Sequence, residues 1–171
     1  MAARALTQLV HHPDQAARRA ELIVFCGPNP ESFLALYNRL AADAASGERR
    51  LTSSIGGLCA PAFFLGPVWF FYRKMWLWAW GYCAVMLLLA LVPVGGQAGL
   101  ALSVAAALIA RWAYVDHASR AIARLRRIRP ADEQAYLTRL AEAGGVSRLA
   151  GWASGIFFAT ALALAVWQAF H

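Results

Sequence analysis

Lysine is almost missing from this chain, for Lys74 is the only one among sixteen basic residues. Cysteine is scarce and scattered: Cys26, Cys59 and Cys83 form no CxxC pair and no Cys/His spacing, which argues against a disulfide framework or a zinc site. His11 and His12 are adjacent, so they point to different sides of any helix or strand, and no third ligand accompanies them. The first twenty residues hold no apolar run of signal-peptide length, and no Gly follows Met1, so the N-terminus is expected to stay in the cytoplasm without myristoylation. No Asp, Glu, His or Lys falls in the middle of 75–92, 98–115 or 149–170, which disfavours a proton or ion pathway. The nucleotide-binding, hydrolase-elbow and zinc-protease motifs are absent as well. The expectation is a non-enzymatic protein with no catalytic, cofactor-binding or metal-ligating residues.

What is present is apolar. Hydrophobic residues make up 60% of 171 residues and the mean hydropathy is +0.48, where about half is usual for a soluble domain. Such a chain is read as an integral membrane protein. A net charge of +7 would suggest nucleic acid in a soluble protein; in a membrane chain the same arginines gather in cytoplasmic loops, so no nucleic-acid partner is expected.

The organising stretch is FFLGPVWFFYRKMWLWAW, residues 63–80. Trp69, Tyr72, Trp76 and Trp80 recur at helical spacing around Arg73 and Lys74, which reads as a headgroup-level anchor in preference to an aromatic cage for a cationic ligand. Upstream, 1–20 reads as a frayed helix or a disordered tail, and Glu21 to Gly27 as a short strand or extended run. Asn29-Pro30-Glu31 opens an amphipathic helix with Phe33, Leu36, Tyr37 and Leu40 on one face, stopping near Gly47. Glycines and prolines break 54–72 into an interfacial or re-entrant element, with Pro67 starting a helix that runs into the next span.

Three spans follow, 75–92, 98–115 and 149–170, with Trp112, Tyr114 and Trp152 as further interface anchors. The loop 116–148 begins as a basic extension of the second span, where Arg120, Arg124, Arg126, Arg127 and Arg129 alternate with Ile122, Leu125 and Ile128 and are expected to meet anionic lipid or a partner. Asp116, His117 and Arg120 form a titratable group read as a solvated helix end. Pro130 opens a second amphipathic helix, Gly144-Gly145 ends it, and Ser147 caps the last span.

The fold class is thus an all-α membrane protein with cytoplasmic amphipathic helices, divided into a cytoplasmic region 1–50 with one such helix and a membrane domain 51–171. Basic clusters place the N-terminus and the 116–148 loop inside and the C-terminus outside, whereas a fourth crossing through 51–72 would have to export the N-terminal region. Gly95, Gly99, Ser103 and Ala107 on the second span, and Gly151, Gly155, Ala159 and Ala163 on the third, form two small-residue ladders expected to pack together.

APAFFLGPVWFFYRKMW, preceded by FCGPNPESFLALYNRL, resembles the mark of a bacterial family of small membrane proteins known as a domain of unknown function, typically written NWAAFFFGPFWLLYRKMY. The likeness covers about residues 21–90 and departs at Leu65 and at Cys59-Ala60-Pro61. It implies a bacterial membrane location and no established activity or catalytic residues. The functional reading is a membrane protein that engages the lipid bilayer, anionic lipid at the cytoplasmic face, a second copy or a membrane-complex partner; the alternative is a small transporter or an accessory subunit.

Overall fold

The computed structural model describes residues 14–27, 30–46, 57–92, 97–128 and 132–170, and every regular element among them is a helix. Helix α1 is Gln15–Cys26, capped by Asp14, whose Oδ1 accepts from the Ala17 N–H at 3.0 Å. This corrects the expectation of a strand or extended run at Glu21 to Gly27. The cap starts a helix upstream, and Leu22, Phe25 and Cys26 then fall at i, i+3 and i+4 and are fully buried on one face. The described residues of the N-terminal region therefore form two helices; α2, Glu31–Ser46, buries Phe33, Leu36 and Tyr37 as its periodicity requires. His11 and His12 lie outside the described residues.

Among the described residues between α2 and the next long helix stand two short helices, α3 (Ala60–Leu65) and α4 (Pro67–Tyr72), each with proline in its first turn. They are hinged at Gly66, whose φ of +50 an L side chain rarely adopts. Helix α4 does not run on into α5, Trp76–Leu91. Lys74 N–H donates to the Phe71 carbonyl at 3.1 Å and Met75 N–H to the Phe70 carbonyl at 2.9 Å, with Lys74 at φ +58. That is a Schellman ending with lysine where glycine is usual, and Met75 is buried beneath it. The aromatic stretch is consequently split: Trp69 and Tyr72 sit on α4, Trp76 and Trp80 on α5.

Helix α6, Gln97–Ile128, has 32 residues and joins the expected second span to its basic extension without a break. Helix α7, Glu133–Ala143, is capped by Asp132; α8, Arg148–Phe170, is capped by Ser147, whose Oγ accepts from Ala150 N–H at 3.2 Å. Two stretches are long and apolar enough to cross a membrane, Gln97–Ile128 and Glu133–Gln168, the apolar part of the second being α8. A shorter apolar helix accompanies them, Trp76–Leu91.

Side-chain pairings set the directions. Phe25 meets Tyr114 and His117, whereas Glu21, one turn back, meets Arg126; α1 therefore runs antiparallel to α6. Phe33 meets Tyr114 at 4.4 Å between ring centroids, which docks α2 on the same part of α6. Tyr136 reaches Glu21, while Gly145 N–H donates to the Phe25 carbonyl at 2.6 Å, so α7 also runs antiparallel to α6. A helical head thus forms from α1, α2, α7 and the C-terminal half of α6, around Leu22, Phe25, Tyr37, Tyr114, Ile122 and Leu140. One core spans the expected boundary at residue 50. The close approach of α1 and the turn after α7 needs Gly144, because a Cβ there would drive into the Phe25 carbonyl.

Below the head, α3 and α4 pack into the start of the apolar helices. Cys59 N–H donates to the Ala107 carbonyl at 3.0 Å, Gly66 lies against Tyr82, and Ser147 N–H donates to the Tyr72 carbonyl at 2.8 Å. The segment descends along α6 from Gly57 at Arg111 to Cys59 at Ala107, turns at Gly66, and returns along α8 to Tyr72. Its outward side chains, Leu58, Phe64 and Leu65, are exposed.

Candidate functional site

Two buried charged groups tie the elements together, one within the head and one between the head and the end of α4. The first is Glu21, a carboxylate almost fully buried in the apolar half of α1. Arg18 Nη1 donates to its Oε2 at 3.0 Å, and Oε1 accepts from Arg126 Nε at 3.0 Å and the Tyr136 hydroxyl at 2.9 Å. Three helices therefore end on one carboxylate, and that is how a charge is tolerated there: paired and hydrogen-bonded on both oxygens. Burial and the Glu21 charge both raise the Tyr136 phenol above its ordinary value. Arg126 is drawn down by burial but held up overall by its bonds to Glu21 and Tyr136.

The second is Arg73. Its guanidinium lies 4.9 Å from the Phe33 ring centroid and 5.1 Å from that of Tyr114, and Nη1 donates to the Cys26 carbonyl at 3.0 Å, the last residue of α1. A planar cation packed against two adjoining rings while it donates to a carbonyl is a role lysine could not fill. Arg73 Nε and the Tyr114 hydroxyl are buried without a well-formed hydrogen bond among the described residues, although the phenol approaches both the Cys26 thiol and Arg73. Burial pushes that thiol up to about 11, against the pull of Arg73, so Cys26 stays a protonated core group. Beside Arg73, Lys74 Nζ donates to the Glu142 carbonyl near the end of α7 at 2.7 Å. Both basic residues of the aromatic stretch are thus turned into the head.

The expected anchors consequently divide. Trp69, Arg73 and Tyr114 are buried inside the protein, which corrects their assignment to the headgroup level; Tyr72, Lys74 and Trp112 are half-buried, and Trp76 and Trp152 are exposed. The ladders do not pack on one another. Gly99 has open space around it, Ser103 is half-buried, Ala107 lies under Cys59, and Gly95 lies outside the described residues. On α8, a Cβ at Gly151 would come within 2.9 Å of Tyr72 and one at Gly155 within 4.0 Å of Val68, while Ala159 and Ala163 are exposed. The small residues let the α3–α4 segment, not a second long helix, approach both backbones.

The basic run divides too. Arg126 is taken by Glu21, Arg120 pairs with buried Asp116, and Arg124 and Arg127 are exposed; Arg129 lies outside the described residues. Ile122 is buried and Leu125 half-buried, so this apolar face is covered by the head. Asp116 is 1% exposed and His117 half-buried, which overturns the reading of a solvated helix end; burial lowers the His117 pKa below its ordinary value.

No protein-family model matches the chain, and no curated protein or solved structure is similar to it.

Glu21, Arg18 and Tyr136 did not stand out in the sequence as a site, and Arg126 stood out only as one member of the basic run. The one signal was a lone acid opening an apolar run, ELIVFC, which needs a cation from elsewhere once that run is buried. No group of three or more His, Cys, Asp and Glu able to hold a metal occurs among the described residues. The arrangement joins elements; it presents no nucleophile paired with a base.

Proposed function

We propose that this chain is a non-enzymatic bacterial inner-membrane protein that crosses three times, through α5, the first half of α6 and α8, and displays its helical head to the cytoplasm. One observation carries this reading. Helices α5 and α8 leave the level of Tyr72 and Ser147 together, α6 returns to it, and all three bear outward Leu, Ile and Phe that are exposed: Leu77, Leu87, Leu100, Ile156, Phe157 and Leu164 among them. Lipid is the solvent that such surfaces require. The α3–α4 segment then re-enters. Cys59 lies beside Ala107, seven residues below Tyr114, so at ~1.5 Å per residue the segment is about 10 Å down at that point, and it turns back at Gly66 to Tyr72 instead of crossing a ~30 Å core. Irregular backbone at that depth is tolerated because α6 and α8 cover it.

With this threading, Arg73, Lys74, Arg111 and the arginines through Arg148 lie on the cytoplasmic side, as the positive-inside rule asks. Anionic headgroups meet exposed Arg148, one helical turn above exposed Trp152. The role is that of an interaction protein, offering a fixed cytoplasmic surface from a membrane anchor. Reporter fusions at the two termini test the threading: an N-terminus inside and a C-terminus outside is the expected result, and both ends on one side would overturn three spans.

A further inference from the structure

The long helix α6 separates two destinations for its arginines. If its apolar part ends at Val115, then Arg124 and Arg127 stand nine and twelve residues further along an unbroken helix, about 13 and 18 Å higher at ~1.5 Å per residue. Headgroups extend only ~5–7 Å beyond the hydrocarbon, and attraction to them fades over ~8 Å at physiological salt. The contacts of α1 and α7 hold this half of α6 as an upright wall of the head, clamped at its far end by Arg126 on Glu21, so it cannot lie down on the bilayer. Arg127 is out of lipid's reach and Arg124 is at its limit.

Arg120, Arg124 and Arg127 also follow one another at i, i+4 and i+7, on the side of the helix opposite buried Ala118 and Ile122. Arg120 shares its charge with Asp116, but Arg124 and Arg127 have no acidic partner among the described residues. Exposed Ile128 borders them at the top. On the three-span reading above, which this step rests on, we infer that this stripe is the docking surface for an acidic, leucine-bearing helical segment of a cytosolic protein. Helical spacing of the cations matches carboxylates at the same spacing on a partner helix, and Ile128 supplies the apolar contact that a purely electrostatic encounter lacks.

The test uses the full chain in nanodiscs of neutral phosphatidylcholine and, as probe, a fluorescent synthetic helix with Glu at i, i+4 and i+7 and Leu beside them. The variant is Arg124→Gln with Arg127→Gln, because removing Arg120 would strand the buried Asp116 carboxylate. Salt-sensitive binding is expected, weakened about tenfold by this double variant and unchanged by exchange of two exposed arginines elsewhere, Arg39→Gln with Arg139→Gln, with equal melting temperatures throughout. Equal weakening by the control pair would overturn the proposal in favour of general positive charge, as would no binding at all. Loss of peptide binding by the native chain in anionic nanodiscs would assign the stripe to lipid, and tighter binding of a single-stranded RNA would assign it to nucleic acid; either result sinks it. Failure of the threading is read separately, from a reporter placed in 116–148: an external signal there refutes the three spans, whatever the peptide does.

Discussion

At the scale of single residues, position in the head decides what a charge is worth. Glu21 ends three helices, so Glu21→Ala leaves Arg18 and Arg126 facing a buried void and is expected to lower stability by about 3 kcal/mol, the range for breaking one side of a buried pair. Arg127→Gln, at an exposed site, is expected to change it by less than about 0.5 kcal/mol. Chemical denaturation in micelles measures both; similar losses would mean that the Glu21 cluster is incidental. His117 gives a pH dependence of known sign. Its ring is half-buried against Phe25, and burial lowers its pKa from 6.5, so the unfolded chain binds the proton more readily. Its contribution is fully present above about pH 6.5 and is lost as pH falls through the lower, folded-state value. His117→Asn is expected to flatten that part of a stability profile, and an unchanged slope would place the titration elsewhere.

At the scale of elements, the turn at 73–75 does most to shape the molecule. A continuous helix from Pro67 would carry Arg73 and Lys74 out to headgroups; the Schellman ending instead aims both at the head, at the expense of a left-handed lysine. Lys74→Gly removes the strain and the Nζ bond to Glu142, whereas Lys74→Ala removes the bond and keeps the strain. The glycine variant is therefore expected to be more stable than the alanine variant by about 1 kcal/mol. Equal melting temperatures would show that the backbone at 74 relaxes in solution. The same logic explains the ladders: Gly151 and Gly155 lie where α4 crosses α8, whereas Ala159 and Ala163, further along α8, are exposed.

For the whole molecule, the depth of the re-entrant segment and the height of the basic wall are two ends of one ruler. Spin labels at Phe64→Cys and Arg127→Cys in liposomes should be relaxed respectively by oxygen, which concentrates in lipid, and by a water-soluble nickel chelate. A label at 64 responding to nickel would bring the segment out of the bilayer; one at 127 responding to oxygen would lay α6 down on it.

Helix after helix was legible from the sequence, because capping, proline, glycine and apolar periodicity act within a turn or two: α2, the start of α4 at Pro67, the continuity of α6 with its basic extension and the cap at Ser147 all follow from neighbours in the chain. The two apolar stretches long enough to cross a membrane are likewise a property of composition. What the sequence could not carry is which charges meet. Glu21 and Arg126 are 105 residues apart, and Arg73 and Cys26 are 47 apart; a charged residue in an aromatic stretch reads as an anchor for as long as its partner is unknown. Only the folded head brings those partners within 3 Å. Burial then makes pairing obligatory, since an unpaired charge in that core would cost several kcal/mol, and by consuming Arg126 the fold leaves Arg124 and Arg127 as the unpaired arginines of the basic run among the described residues.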